Sequence, residues 1–278
     1  MNQPRPRAVT ALALCLGALV LGAGCGDDQR PPVDSPGPSE LQRATAGLTE
    51  RLESESFVFH FRPGDGTRVE VERSEAFHRW AVGYLAVRPP KKIDFYMFSS
   101  GAEMAEAFGY GFGGKAFPQE FALATAYSWH NHECFHLYTC LIGNPPRIFA
   151  EGMPVAHEFD PYNDMWVSQW NRAEPRPEPH LVLARRLKAD GLLYPIESIL
   201  ESADFNRRAS EETVTIAYEQ AGAWVSYLVE TYGIESMKQI VASIPHEASR
   251  DMIRSRFEAV YGLSVAEAEA AWLAWLDR

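Results

Sequence analysis

The chain has 278 residues, of which 46% are hydrophobic, and it carries 37 acidic side chains against 26 lysines and arginines, a formal net charge of −11. A protein this acidic, with no basic stripe along its sequence, is not expected to bind nucleic acid. No internal repeat is present, and no second apolar run follows the one near the N terminus. The length leaves room for one large domain or for two small lobes that share a cleft.

The N-terminal segment has the organisation of a targeting sequence. A basic start is followed by an apolar run, residues 8–21, which is too short to span a bilayer comfortably, and small residues then lead to Cys25. This ending resembles the bacterial lipobox, although its bulky residue lies one place further from the cysteine than is usual. The resemblance implies a signal peptide over residues 1–24 and a lipid on Cys25 that anchors the protein in the bacterial cell envelope. Gly26 agrees with outer-membrane sorting, and ordinary secretion with an incidental Cys25 is the alternative.

A polar, proline-rich stretch follows the cysteine. Residues 25–46 contain few large apolar side chains and cannot bury enough surface to fold, so they are predicted to form a disordered tether. Such a tether would hold a globular domain some tens of ångströms from a membrane surface. The domain itself is expected over residues 47–278, with lobes at about 47–145 and 146–278.

The first lobe alternates predicted strands and helices. Strands are predicted at 57–61, 92–98 and 121–127, and helices at about 69–86 and 102–108. His60 and His78 have no partner at ligand spacing and are interpreted as structural. The glycine-rich run 109–114 lacks the Lys-Ser/Thr pair of a phosphate-binding loop, so a flexible hairpin or the rim of a cleft is expected there.

The segment from His132 to His136 has the pattern H-E-x-x-H. On a helix these two histidines lie about 40° apart around the axis and can bind one metal ion from the same face. Glu133 then lies beside the ion, where its carboxylate can take the proton of an attacking water molecule. His130 and Cys134 point about 200° away from His132 on a continuous helix, which favours the core or, for His130, a place behind the ligands. His130 could enter the site only if the helix began at His132.

A second segment offers an acid to complete the ligand set. Two prolines, Pro145 and Pro146, are predicted to end the motif helix with a turn, and Glu151 follows on the next segment. A catalytic zinc site has three protein ligands plus water, so two imidazoles from one helix leave a vacancy that Glu151 can fill. A surface carboxylate at a helix start is the alternative, and Glu158, seven residues on, is the substitute ligand.

The remainder of the chain is predicted to be mainly helical after an irregular stretch at 160–180. The predicted helices are 181–189, 196–202, 211–232, 234–244, 250–261 and 264–276. Gly233 and Gly262 are placed as helix C-terminal caps, and Ser264 with Glu267 resembles a capping box.

The order of strand, ligand helix, turn and acid-bearing helix resembles the gluzincin branch of the zincin metallopeptidases, the peptidase MA superfamily, in which H-E-x-x-H is followed by E-G. The tail is similar as well, at residues 217–233 and 267–276, and the chain departs from the pattern at Pro154, where alanine is usual. The resemblance spans roughly residues 55–278. It implies an α+β, zincin-like fold, with a small mixed α/β N-terminal lobe that carries the motif helix and a mainly helical C-terminal lobe.

The resemblance also implies an activity, the zinc-dependent hydrolysis of peptide bonds in a peptide or protein substrate. It implies Zn²⁺ as the cofactor, held by His132, His136 and Glu151. Glu133 is the expected general base. Related enzymes stabilise the oxyanion with a tyrosine or a histidine, and Tyr218 is the candidate here, with a buried core tyrosine as the alternative reading. His157 and His180 are weaker candidates.

A second class of function stays open from the sequence. A lipid-anchored binding or assembly protein could keep the zincin fold and its metal without turning over a substrate.

The cysteines do not indicate a disulfide framework. Cys134 and Cys140 lie six residues apart, which on one helix separates their α-carbons by about 9 Å, beyond disulfide reach.

Overall fold

The computed structural model describes residues 39–109, 113–157, 179–211 and 215–278, and its combination of helices with one small sheet confirms the predicted α+β class. The strands are β1 (Glu50–Glu53), β2 (Phe57–Phe61), β3 (Ile93–Met97), β4 (Gly114–Phe117) and β5 (Ala122–Thr125). The helices are α1 (Glu40–Thr45), α2 (Val71–Leu85), α3 (Gly101–Phe108), α4 (Asn131–Cys140), α5 (Arg147–His157), α6 (Pro179–Ala189), α7 (Ser202–Glu211), α8 (Thr215–Tyr232), α9 (Ile234–Ser243), α10 (Arg250–Tyr261) and α11 (Val265–Trp275). Short 3₁₀ helices cover Asp65–Arg68 and Ile196–Ile199.

Several predictions fall outside the described residues. These are the signal peptide, Cys25, most of the tether, Glu158, and most of the irregular stretch at 160–180. Within the described ranges, no helix combines the length and the apolar character needed to cross a bilayer.

The sheet has the strand order β1-β2-β3-β5-β4. The three inner strands are parallel, and β1 and β4 pair antiparallel with them at the two edges. The inner strands are rich in buried aromatic and aliphatic residues, which fits strands covered on both faces. Arg68 connects the C-terminal ends of β3 and β5, because its guanidinium donates to the carbonyls of Phe98, Ser99 and Ala126. The chain leaves β5 at this end and enters α4 after five intervening residues.

One hydrophobic core runs through both halves of the domain. It extends from Phe59 in the sheet through Phe135 on α4 and Phe149 on α5 to Trp224 on α8 and Trp272 on α11. A second, smaller cluster on the sheet involves α1, α3, β4 and β5. The sheet, the motif helix and the helical half therefore pack as connected layers, and the site-bearing helices lie in the larger core.

The predicted tether extends too far along the chain. The structure has helix α1 from residue 40, with a capping box between Ser39 and Gln42 and with Leu41 buried at 3% exposure. Leu41 packs in the smaller cluster with Phe98 and Met104, and burial of these side chains offsets the entropy lost on ordering. The folded part of the chain thus begins before residue 46.

Most of the remaining predicted elements are present, and the differences are local. The strands β2, β3 and β5 and the helices α2, α3, α6, α9, α10 and α11 lie where the patterns predicted them, within a few residues. Gly233 and Gly262 follow α8 and α10 with positive φ, and the capping box at Ser264 is present. The short edge strands β1 and β4 and the polar helix α7 were not predicted. The helix predicted at 196–202 is only a 3₁₀ turn.

Candidate metal centre

Helix α4 presents the two motif histidines. The carbonyl of His130 accepts from the amide of Cys134, so His130 is the residue that caps the helix start and Asn131 is its first helical residue. Cys134, Phe135 and Tyr138 fill the core-facing side at 1% exposure or less. With that face fixed in the core, His132 and His136 lie together on an adjacent face, one turn apart.

Helix α5 brings the acid to them. The carbonyl of Pro146 accepts from the amides of Phe149 and Ala150, which starts the helix immediately after the predicted turn. The helix continues past Pro154 to His157, so the proline does not end it, and Glu151 lies in its second turn. Glu151 is 3% exposed. This burial excludes the alternative interpretation of Glu151 as a surface carboxylate.

The three predicted ligands form a compact triangle. Nε2 of His132 lies 3.1 Å from Nε2 of His136, and each of these atoms lies 3.3 Å from Oε2 of Glu151. Bonds of about 2.0–2.1 Å from zinc to three corners of a tetrahedron require ligand atoms roughly 3.3 Å apart. The observed separations therefore fit one small cation with a fourth position left over. This buried group can hold a metal ion.

The charges around Glu151 favour its ionised form. Burial by itself raises the pKa of this carboxyl, but His136, His132 and Arg147 outweigh burial and hold the pKa well below its usual range. Nη1 of Arg147 lies 2.7 Å from Oε1 of Glu151, one helical turn away on α5. A carboxylate that stays ionised in the core is available as a metal ligand at neutral pH.

Glu133 lies at the edge of the sheet. Its Oε2 accepts a hydrogen bond of 2.8 Å from the backbone amide of Ala116 on the edge strand β4. Strand and helix approach closely here, because a Cβ on Gly114 would lie 2.5 Å from Nε2 of His130 and 2.8 Å from Cγ of Glu133. The amide of Ala116 thereby fixes one oxygen of Glu133 beside the helix face that carries His132.

Tyr218 on α8 belongs to the same polar group. Its hydroxyl accepts a hydrogen bond of 3.0 Å from Nη2 of Arg147. Burial and the negative charge of Glu151 raise the pKa of Tyr218 to about 12, although Arg147 opposes this shift. The phenol consequently keeps its proton at neutral pH and can donate it in a hydrogen bond. Its catalytic role stays a prediction.

The other candidate histidines lie apart from the triangle. His157 bonds to the carbonyl of Met153 and to the hydroxyl of Tyr84, and burial lowers its pKa to about 4. His180 bonds to Ser226, and burial lowers its pKa to about 3. Neither contributes to the metal-ligating cluster found within the described residues. The imidazole of His157 instead stacks on Phe135 in the core.

The histidines interpreted as structural have local partners. His60 bonds to Asp94 at 3.0 Å, and His78 bonds to the hydroxyl of Tyr138 at 2.9 Å. His130 is 9% exposed, and burial lowers its pKa to about 4, so it packs behind the ligands as a neutral ring.

The cysteines also follow the prediction. Cys134 is fully buried, which raises the pKa of its thiol, and neither Cys134 nor Cys140 forms a disulfide within the described part of the chain.

Three participants were not singled out from the sequence. Arg147 contacts Glu151, Tyr218 and, through Nε, the Oδ1 of Asn206. The only sequence signal for the first contact is the i,i+4 spacing of an arginine and a glutamate on a predicted helix. Nothing local marks Asn206 or the amide of Ala116, because both reach the site through tertiary packing.

Compared with known proteins, the chain matches no protein family model, and no curated protein sequence matches it. The function of the chain is therefore inferred from the geometry of the residues described above.

Proposed function

We propose that the protein is a zinc metallopeptidase of the gluzincin type with a zincin-like fold. One observation carries this proposal: the ligand atoms of His132, His136 and Glu151 lie 3.1–3.3 Å from one another in the core, and Glu133 follows His132 on the same helix. Structural zinc sites usually have four protein ligands, whereas three leave one position open for catalysis. The cluster holds three such side chains within the described residues.

The bound zinc would polarise a scissile carbonyl and lower the pKa of water to about 7. The residues of the chain supply the remaining functions. Oε2 of Glu133 is held by the Ala116 amide, which leaves Oε1 to take the proton of the attacking water and return it to the leaving amine. Tyr218 is protonated beside the cluster and is the donor we assign to the oxyanion of the substrate.

The sequence features outside the described residues complete the proposal. A signal peptide and a lipid on Cys25 would place the enzyme on a membrane of the bacterial cell envelope, where its substrate would be a peptide or protein. The chain from Cys25 to the first helical residue, Glu40, would then connect the lipid to the domain.

The test combines metal analysis with substrate cleavage. The purified chain is analysed for bound metal and then incubated with a broad peptide library, whose cleavage products are identified by mass spectrometry. We expect about one zinc per chain and cleavage that requires it. His132→Ala should lose both, whereas His60→Ala, which changes a histidine bonded to Asp94 on the sheet, should keep both.

Two outcomes would contradict the proposal in different ways. Wild-type protein without bound metal would exclude the metal centre. Zinc without cleavage of any peptide would instead favour the alternative, a lipid-anchored binding protein with a zincin-like fold.

A further inference from the structure

Arg147 connects three helices at the metal centre. Its guanidinium donates to Glu151 on its own helix α5, to Asn206 on α7 and to Tyr218 on α8. Each of the three guanidinium nitrogens has one of these partners, at 2.7, 3.1 and 3.0 Å respectively. A planar guanidinium with partners on three sides has little freedom to rotate. The orientation of Arg147 is thus determined by the packing of α5, α7 and α8.

The place of Arg147 on its helix is electrostatically unfavourable. It is the first residue of α5, and a positive charge at a helix N-terminus interacts unfavourably with the helix dipole. Helix stability therefore does not account for an arginine here. The interaction with the buried carboxylate of Glu151 does account for it, because a buried charge without a partner is strongly destabilising.

Because of its contact with Arg147, the two carboxylate oxygens of Glu151 have different partners. Oε1 faces Nη1 of Arg147, and Oε2 faces the two histidine nitrogens. A carboxylate without such a partner can turn and bind a metal ion through both oxygens, which would fill a further coordination position. With Oε1 bonded to Arg147, Glu151 offers one oxygen and the fourth position stays open for water.

We propose that Arg147 is a positioning residue that limits Glu151 to one metal-binding oxygen and holds the hydroxyl of Tyr218 beside the cluster. The inference builds on the proposed metal centre and goes beyond it, because it concerns the geometry of coordination and a residue outside the ligand set. Arg147 touches no reacting atom and acts through Glu151 and Tyr218.

Metal affinity alone is a poor test of this role. Loss of a hydrogen-bonding partner of a ligand typically weakens metal binding 10- to 100-fold. Removal of a positive charge beside a dication strengthens binding, so the two effects have opposite signs. A measurement of coordination geometry separates them.

The experiment uses Co²⁺ as the probe in the full chain, with the visible absorption spectrum as the readout. Wild type is expected to give the intense bands of four-coordinate cobalt. Arg147→Met frees Oε1 of Glu151, so we expect a clear loss of intensity, as for five-coordinate cobalt. Arg147→Gln, a milder change, is expected to show the same loss and provides a second test should the methionine variant fail to fold.

Three further variants serve as controls. Arg147→Lys keeps the charge and one donor to Glu151, and we expect it to regain part of the intensity. Tyr218→Phe removes only the tyrosine contact and should leave the spectrum close to that of wild type. Arg254→Met, which breaks an exposed ion pair with Glu197, should not change it either.

The outcomes distinguish the two proposals. A wild-type chain that binds no cobalt at the cluster contradicts the proposed metal centre and the inference with it. A wild-type chain that binds cobalt, together with folded Arg147→Met or Arg147→Gln protein of unchanged spectrum, overturns the inference and leaves the proposed function intact.

Discussion

Glu133 and Glu151 share one structural feature: each has one carboxylate oxygen held by a donor of the protein. The amide of Ala116 holds Glu133, and the guanidinium of Arg147 holds Glu151. A carboxylate held in this way loses less freedom when it binds a metal ion or accepts a proton. The donors differ in kind, because a backbone amide carries no full charge whereas the guanidinium of Arg147 offsets the charge of Glu151.

For Glu133→Gln we expect zinc to remain bound and hydrolysis to fall by about 10²- to 10⁴-fold in kcat. The amide has the shape of the carboxylate but cannot accept the proton of the attacking water. Zinc content and kcat are measured on the same preparation. A decrease smaller than about tenfold would remove Glu133 from the role of general base.

For Glu151→Ala we expect loss of bound zinc, because only two imidazoles remain at the cluster. Glu158→Ala is the matched change on the acid seven residues further along the chain, and it should bind zinc like wild type. Zinc content after dialysis and the zinc affinity of both variants are measured. The reverse pattern, with zinc lost only from Glu158→Ala, would show that the wrong acid was chosen.

Helices α5 and α8 approach each other closely beside Glu151, the proposed third ligand. A Cβ on Gly152 would lie 2.7 Å from the carbonyl oxygen of Ala221 and 2.6 Å from a methyl group of Val225. On the facing helix, a Cβ on Gly222 would meet Val155. The glycine of the E-G pair thus has a packing role, because it lets α8 lie close enough to bring Tyr218 to Arg147.

Gly152→Ala is expected to destabilise the protein by about 1–3 kcal/mol, since the added methyl group meets backbone that cannot move independently. Gly83→Ala is the matched control on the exposed face of α2, where a Cβ meets nothing within 4 Å. That change should stabilise the helix by about 0.5–1 kcal/mol. Thermal unfolding of both variants gives the comparison, and a Gly152→Ala protein as stable as wild type would contradict the close approach.

Helix α1, at the start of the described residues, lies close to the edge of the sheet that contacts Glu133. Glu40 on α1 bonds to Lys115 on β4 at 3.0 Å, and the next residue, Ala116, contacts Glu133. Leu41 anchors α1 in the smaller hydrophobic cluster. A segment that tethers the protein from Cys25 would therefore reach the domain on the side of strand β4.

For Cys25→Ser we expect a folded domain that no longer sediments with membranes. The reason is that the predicted anchor is a lipid on this cysteine. Membranes are washed with salt and the fractions are probed for the processed protein. A processed variant that stays in the membrane fraction would show that lipid on Cys25 is not the anchor.

The sequence by itself determined the features that follow from local spacing. Two histidines four residues apart on a helix must share a face, and an acid on the next helix is a natural third ligand, so His132, His136 and Glu151 could be predicted. The buried strand β2 and the capping box at Ser264 follow from equally local patterns. Their physical reason is that helix and strand geometry repeats over a few residues.

Only the tertiary structure decided which residues contact the side chains of this cluster and of Glu133. Arg147 meets Asn206 and Tyr218 across 59 and 71 residues of chain, and Ala116 meets Glu133 from a strand too short to be recognised by alternation. These contacts depend on how closely helices and sheet pack, which depends on side-chain volume at positions such as Gly152. Local periodicity places side chains on a face, but packing determines which faces meet.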